Sequence, residues 1–407
     1  MKEFDVLVIG AGAAGCFSAI KASENFKHAK IAILERNAKS LAKVKISGGG
    51  RCNVTNVISE PEELSKHYPR GERFLKKAFY QFSSSDMKAW LESRNVPLKL
   101  YPDGCYFPQS NDSQTIIDCF LDELKKNRVE LLLNHRVESM KKLDSGLFEI
   151  QTPEETFHSK AVIVTTGGQP KISGFEFLKD FDLKMVSPVP SLFTFNMPNE
   201  SIKELMGIVQ ENALVKIIGE KWTSNGPLLI THWGMSGPAV LKSSAFGARI
   251  LEGKGYNSQI SVNWTGEENQ EVVRELIKEF VKSNKLVVNT PVYSIKSRLW
   301  NYLVEKAGIP NQFKCSELTA KHQNKLLEVL VNDLYVMEGK TTFKEEFVTA
   351  GGVDLNEINV QTMESKKYSG LFFAGETLDI DGVTGGFNFQ AAWTTAAIAG
   401  KNALKNK

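Results

Sequence analysis

The first thirty-five residues constrain the fold more tightly than any other stretch. Phe4-Asp5-Val6-Leu7-Val8-Ile9 is an apolar run of strand character, Gly10-Ala11-Gly12-Ala13-Ala14-Gly15 follows directly, and a second apolar run, Ile31-Ala32-Ile33-Leu34, ends at Glu35. Strand, glycine turn, helix and strand, with an acid twenty residues past the last glycine, is the arrangement by which an α/β unit grips a dinucleotide. Each residue type has a physical reason. Gly10 permits the tight turn, Gly12 lets backbone approach a pyrophosphate, and Gly15 lets helix and strand lie close. The helix start at Ala13 and Ala14 offers N–H donors to the anion. Glu35, followed by Arg36, can accept hydrogen bonds from a ribose, and its charge repels a 2′-phosphate. The nucleotide expected here is therefore FAD or NAD(H) rather than NADPH.

Composition agrees with a folded enzyme-sized chain. The 407 residues are 42% hydrophobic and 24% charged, outside the range of disordered sequences. Fifty Lys and Arg against 47 Asp and Glu leave a formal charge of +3, too balanced for a global nucleic-acid or membrane-surface field. The five cysteines, Cys16, Cys52, Cys105, Cys119 and Cys315, are scattered and never spaced C-x-x-C, so neither a disulfide framework nor a metal site is suggested. Met1-Lys2-Glu3 runs straight into the first strand, and no apolar run reaches the length of a bilayer span. A cytoplasmic protein in a reducing compartment is expected.

Two further strands bear on the nucleotide. Ala161-Val162-Ile163-Val164 ends in the small-residue turn Thr165-Thr166-Gly167-Gly168. Gly370-Leu371-Phe372-Phe373 ends in Ala374-Gly375-Glu376, after which Gly385-Gly386-Phe387-Asn388 opens an alanine-rich helix. Between them, residues 191–270 carry short β-prone runs such as Gln259-Ile260-Ser261-Val262-Asn263-Trp264. Residues 271–345 show helical periodicity over Glu271–Lys285, Val292–Ala307 and Ser316–Met337. The expected architecture is α/β: a Rossmann-like nucleotide domain made of 1–190 and 346–407, discontinuous because a β domain (191–270) and a helical subdomain (271–345) are inserted. Its closure by a far C-terminal strand with an acid after the glycine resembles FAD-dependent two-domain oxidoreductases, which implies a Rossmann-like FAD-binding domain.

The densest unusual segment is Ser47-Gly48-Gly49-Gly50-Arg51-Cys52-Asn53-Val54-Thr55-Asn56, whose glycines expose backbone N–H groups to a ligand. With no second cysteine at redox spacing, a packing or hydrogen-bonding role is favoured for Cys52. Together with Val8–Gly15, Thr231-His232-Trp233-Gly234-Met235-Ser236-Gly237-Pro238, Val348-Thr349-Ala350-Gly351-Gly352-Val353, Phe373–Glu376, and Asp381-Gly382 through Gly386-Phe387-Asn388, this segment resembles the BaiN/RdsA family of bacterial NAD(P)/FAD-dependent oxidoreductases, also called aminoacetone oxidase family FAD-binding enzymes. The motifs span nearly the whole chain. One departure is visible: Cys105, in Gly104-Cys105-Tyr106-Phe107-Pro108, stands where the family commonly has Arg, which removes a cation from any substrate contact inferred there.

The resemblance implies a bound FAD. Gly10, Gly12, Ala13, Ala14 and Gly15 would hold its pyrophosphate and Glu35 its adenosine ribose, with Val137 as a backbone contact to adenine. Ser47, Gly48, Gly49, Arg51, Cys52, Asn53, Thr166 and Gly167 would wall it, Gly375 would join the cofactor site, and Glu376 would reach the ribityl chain or an associated water. N–H groups at Gly386, Phe387 and Asn388 would face the pyrimidine edge of the flavin, where a helix N-terminus stabilises the charge of the reduced ring. The family also implies reduction of a C=C bond conjugated to a carbonyl, by hydride transfer from flavin N5 to the β carbon and proton delivery to the α carbon. Its substrates are a small enone in one branch and uridine in ribosomal RNA in another. Only one dinucleotide fingerprint is present, so NAD(P)H, the reductant the resemblance implies, is expected to visit the flavin transiently in the substrate cleft; an unrelated electron donor is the alternative. His232, Cys52 and Asp381 are the candidate proton donors. Lys and Arg on the inserted helices are interleaved with acids, the pattern of a solvated face. The alternative from another class is a non-catalytic flavoprotein acting as redox sensor or assembly factor.

Overall fold

The computed structural model describes residues 2–342 and 348–405; the expected boundary at 345/346 lies outside them. The chain divides into two compact units, Met1–Ser191 with Lys344–Lys407, and Leu192–Phe343.

The first unit is built on a sheet with a parallel centre. Lys2–Ile9 lies between Ile31–Leu34 and Thr156–Val164, Glu130–Leu132 extends the sheet beyond Ile31–Leu34, and Leu371–Phe373 adds to the far side of Thr156–Val164. The N-terminal half of Thr156–Val164 pairs antiparallel with Phe148–Gln151, which pairs in turn with Ser139–Lys142. Val6–Ile9, Ile31–Leu34 and Ala161–Val164 are buried continuously. These strands are covered on both faces, which is why they read as unbroken apolar runs rather than as alternation. The helix Ala13–Asn25 packs along the C-terminal helix Phe387–Asn402. Gly400 is required there, since a Cβ on it would sit 2.4 Å from the Ser18 carbonyl oxygen. Rings of Phe17, Trp90, Phe120 and Trp393 close the core beside that contact. Because the parallel strands all point the same way, their carboxyl ends gather Gly10, Glu35, Thr165 and Ala374 at one edge of the sheet, where open α/β sheets bind ligands.

The second unit has an antiparallel sheet in the order Asp333–Glu338, Asn257–Asn263, Val209–Ile217, Ser224–Ile230, Gly234–Ser236, Thr194–Asn196, Lys340–Thr341. Its strands and its helices share a single core containing Trp264, Trp300 and Tyr335. The β part and the helical part expected from the sequence are thus layers of one compact unit. The helices themselves are shorter than their periodicity suggested. They run over Gln270–Phe280, Ser297–Lys306 and Ala320–Val331. Tyr293 and Ser294 have positive φ (51° and 54°), which delays the second helix. The third is a correction: the stretch expected to stay helical to Met337 turns into the strand Asp333–Glu338, whose burial alternates residue by residue. Two helices within the β-prone region, Pro238–Phe246 and Ala248–Gly253, carried no recognised sequence signal. No helix among the described residues is long and apolar enough to cross a membrane.

Candidate functional site

The glycine turn has the steric pattern that its spacing requires. Gly10 has φ +102°, and a Cβ there would lie 2.7 Å from the Thr165 carbonyl oxygen. A Cβ on Gly15 would lie 1.8 Å from the Gly10 oxygen, so both positions are closed to any other residue. Gly12 is different: a Cβ there meets nothing within 4 Å. It heads the helix Ala13–Asn25 without any side-chain cap, leaving the positive helix end at Ala13 and Ala14 available to an anion. Glu35 is buried with its carboxylate oriented by three donors: Oε2 accepts from the Ala11 N–H (2.8 Å), and Oε1 accepts from the Asn37 N–H (2.9 Å) and Nδ2 (2.7 Å). Arg36 is exposed beside it. Val137 is half-buried in the coil after His135, whose N–H donates to the Glu35 carbonyl (2.8 Å) and ties that segment to the strand end.

The second element is the Ser47–Asn56 loop. The helix Ala42–Gly50 loses regular geometry at Ser47 (ψ 147°), and Gly48, Gly49, Gly50 and Cys52 then take φ of 57°, 68°, 83° and 62°. Ser47 is spent locally, its Oγ donating to the Val44 carbonyl (2.9 Å) and its own carbonyl accepting from the Cys52 N–H (2.9 Å). Gly49 and Gly50, like Gly12, have open space where a Cβ would point. Arg51 donates through Nε to the Gly48 carbonyl (3.2 Å) and lies 4.5 Å over the Phe107 ring. Asn53, with its amide oriented to satisfy both partners, accepts from the Gly386 N–H (3.1 Å) and donates to the Thr55 carbonyl (3.1 Å), stitching the loop to the start of the C-terminal helix. Cys52 is fully buried, and burial pushes its thiol up to about 12. It remains a neutral thiol at physiological pH.

The third element joins the turns after Val164 and Phe373. The Gly167 N–H donates to Thr377 Oγ1 (3.2 Å), and the Gly168 N–H donates to Glu376 Oε2 (3.4 Å), which also pairs with Lys43 Nζ (2.9 Å). The Gly375 N–H donates to Thr395 Oγ1 (2.9 Å). Thr166 Oγ1 is buried without a hydrogen-bond partner among the described residues. Gly386 heads the C-terminal helix at φ +86°, again with no side-chain cap. The Asn388 amide closes on Gly382 instead, accepting from its N–H (2.8 Å) and donating to its carbonyl (2.9 Å). Tyr68 donates its hydroxyl to the Phe387 carbonyl (2.7 Å), and the His67 ring stacks on Phe387 at 4.1 Å and 6°.

The three candidate acids have different surroundings. Asp381 is fully buried, bonded through both carboxylate oxygens to the Arg70 guanidinium and accepting from Ser191 Oγ (2.7 Å). Burial pushes its carboxyl up while Arg70 and Ser191 pull it back down. Its proton-accepting oxygens are thus already engaged. Cys52 and Asp381 belong to the first unit and His232 to the second. His232 is exposed on the turn closed by mutual Thr231 and Gly234 backbone bonds, its ring 4.6 Å from that of Trp233. Sequence reasoning did not single out Asn37, Lys43, His67 or Arg70. Each acts through a partner remote in sequence or through a side chain of common type, and no local pattern marks it.

A family model described as the HI0933-like protein Rossmann domain matches residues 4–402. The chain belongs to the HI0933-like family. It has the family's Rossmann-like, FAD-binding α/β fold, that of a flavoprotein oxidoreductase. Among curated relatives, it is 28% identical over 416 residues to the ribosomal RNA dihydrouridine synthase of Escherichia coli K12, covering all of both chains. It is 26% identical to the 3-dehydro-bile acid delta(4,6)-reductase of Clostridium scindens, covering 98% of each. Among solved structures, a 3-ketosteroid-delta4-(5alpha)-dehydrogenase from Rhodococcus jostii matches with TM-score 0.54 and 12% identity, over 100% of this chain and 97% of that one. A flavocytochrome c3 fumarate reductase matches with TM-score 0.53 and 17% identity, over 99% and 78%. The residues present fit FAD: two uncapped helix starts, open space above Gly12, Gly49 and Gly50, and an orphaned buried hydroxyl at Thr166.

Proposed function

We propose that this chain is an FAD-dependent reductase of C=C bonds conjugated to a carbonyl, with uridine in ribosomal RNA as substrate and NAD(P)H as reductant. The observation that carries this reading is that full-length relatives named for two different substrates share one chemistry. A dihydrouridine synthase saturates the uracil C5–C6 bond next to a carbonyl, and a delta(4,6)-reductase saturates the corresponding bond of a steroid. Two relatives carry the RNA name, the second from Haemophilus influenzae at 27% identity over 96% of each chain. The small-enone reading rests on the bile-acid relative and is the second reading.

When bound, FAD supplies the hydride. The protein's part is binding, orientation and proton control. The carboxylate of Glu35, fixed by Ala11 and Asn37, accepts from the adenosine ribose, with Arg36 and the Val137 backbone flanking the adenine end. The uncapped helix start at Gly12–Ala14 holds the pyrophosphate. Gly48, Gly49, Arg51 and Asn53 wall the cofactor with Thr166 and Gly167. Gly375 and Glu376 support the ribityl side, and the helix start at Gly386–Asn388 offers positive potential to the flavin's pyrimidine edge. The paired Asp381 fixes the 379–382 turn, which leaves proton donation to His232 or to the neutral thiol of Cys52. A cytoplasmic location follows from this reading.

Mass-spectrometric mapping of dihydrouridine in ribosomal RNA from cells lacking the gene tests it. Loss of one modified site supports the RNA substrate. An unchanged RNA overturns that substrate in favour of a small enone. A purified flavoprotein that no enone and no RNA re-oxidises would overturn the reductase reading itself and support a redox sensor.

A further inference from the structure

Thr349 lies in the strand Val348–Val353, opposite Pro190 in its antiparallel pairing with Met185–Ser191. It is 1% exposed, and its Oγ1 is buried with no hydrogen-bond partner among the described residues. Leaving a buried hydroxyl unpaired is costly, so a native fold that keeps one pairs it with a water or with a ligand atom. The surrounding glycines hold the hydroxyl in place. A Cβ on Gly168 would lie 2.8 Å from Thr349 Oγ1, so only glycine lets the Thr166–Gly168 turn meet it. Gly351 and Gly352 have φ of 124° and 142°, and Cβ atoms there would strike the Ser187 and Thr377 carbonyl oxygens at 2.6 and 2.4 Å. The same turn carries the second orphaned hydroxyl, Thr166 Oγ1. Two unpaired buried hydroxyls therefore converge on the turn that is joined to Glu376 and Thr377.

We infer that Thr349, with Thr166, forms hydrogen bonds to the flavin half of the bound cofactor, a contact that the dinucleotide fingerprint does not reveal. The inference rests on FAD occupying the site that begins at Gly10–Gly15. Its test separates the two halves of the cofactor, because ADP shares the adenosine and pyrophosphate but lacks the flavin. Full-length wild type, Thr349→Val and Thr349→Ser are titrated in their flavin-free form with FAD and with ADP. The expected result for Thr349→Val is FAD binding weakened about tenfold with ADP binding unchanged, and for Thr349→Ser FAD binding near wild type. Flavin-free Thr349→Val should unfold at the same temperature as wild type or higher, since it removes an unpaired polar group. Unchanged FAD binding in Thr349→Val overturns the inference. Equal loss of FAD and ADP binding, or a lowered unfolding temperature, also overturns it by revealing a merely structural role. Failure of wild type to bind FAD at all would instead overturn the cofactor reading beneath it.

Discussion

Exchanging Gly12 and Gly15 for alanine, one at a time, separates what the glycine turn does for the fold from what it does for the cofactor. At Gly12 the backbone is extended (φ −84°), and a Cβ meets nothing within 4 Å. The protein itself therefore tolerates Gly12→Ala. It should gain about 0.4–1 kcal/mol, because alanine restricts the unfolded chain more than glycine does. The added methyl enters the space through which backbone N–H groups would reach a pyrophosphate. A hydrogen bond to a charged group is worth about 1.5–3 kcal/mol, so each one lost weakens FAD binding by about ten- to a hundredfold. At Gly15 the added Cβ would lie 1.8 Å from the Gly10 carbonyl oxygen and 2.7 Å from Thr165 Oγ1. Backbone on that side cannot yield without opening the turn, and a cost of about 3 kcal/mol or more is expected. Thermal unfolding of the flavin-free proteins and FAD titration read the two effects independently. The expected pattern is a stable Gly12→Ala that binds FAD poorly and an unstable Gly15→Ala. A Gly12→Ala protein that binds FAD as wild type does, or a Gly15→Ala protein of wild-type stability, would refute the assignment of roles within the turn.

Other outcomes follow from single contacts. Glu35→Gln replaces an acceptor of three hydrogen bonds by a group with one oxygen and one NH2, so a donor must face a donor at Ala11 or Asn37; stability should fall by about 1–3 kcal/mol and FAD affinity with it, as seen by denaturation and flavin fluorescence. Cys52 has a folded-state pKa raised by burial from 9.0 to about 12, so its contribution to stability is complete below pH 9 and disappears as pH rises toward 12. Denaturation midpoints measured across that range should fall less steeply in Cys52→Ala than in wild type. In the second unit, buried Asp333 accepts from Trp264 Nε1 (3.0 Å) and the Tyr335 hydroxyl and pairs with Lys306 (2.6 Å). Asp333→Ala strands all three partners and should cost about 3 kcal/mol, measured by urea unfolding with tryptophan fluorescence.

Legibility in the sequence followed how local each signal was. The strand ends at Ile9, Leu34, Val164 and Phe373 could be read because doubly covered parallel strands are continuous apolar runs that stop at a small residue or, after Leu34, at the acid Glu35. Ser316–Met337 misled because its apolar residues satisfy a helical stripe up to Val331 and a two-residue alternation after it, and only the pairing of Asp333–Glu338 with Asn257–Asn263 decides where the change falls. Within the site, Gly12 and Glu35 stand in a fixed register that any reader can count. Lys43 on Glu376, Arg70 on Asp381 and Tyr68 on Phe387 join residues more than three hundred positions apart, and no spacing rule reaches that far. Asn388 was expected to turn toward the cofactor through its backbone; its side chain also serves the 382–386 turn, which only the fold discloses.

Anaerobic stopped-flow on the flavin of the purified protein tests the central claim most directly. The protein is reduced with NAD(P)H and mixed with unmodified ribosomal RNA, and flavin absorbance is followed while the product RNA is mapped for dihydrouridine. Recovery of oxidised flavin with one dihydrouridine formed per flavin re-oxidised is the predicted result. A bound flavin that NAD(P)H reduces but that neither this RNA nor any conjugated enone re-oxidises would contradict the account.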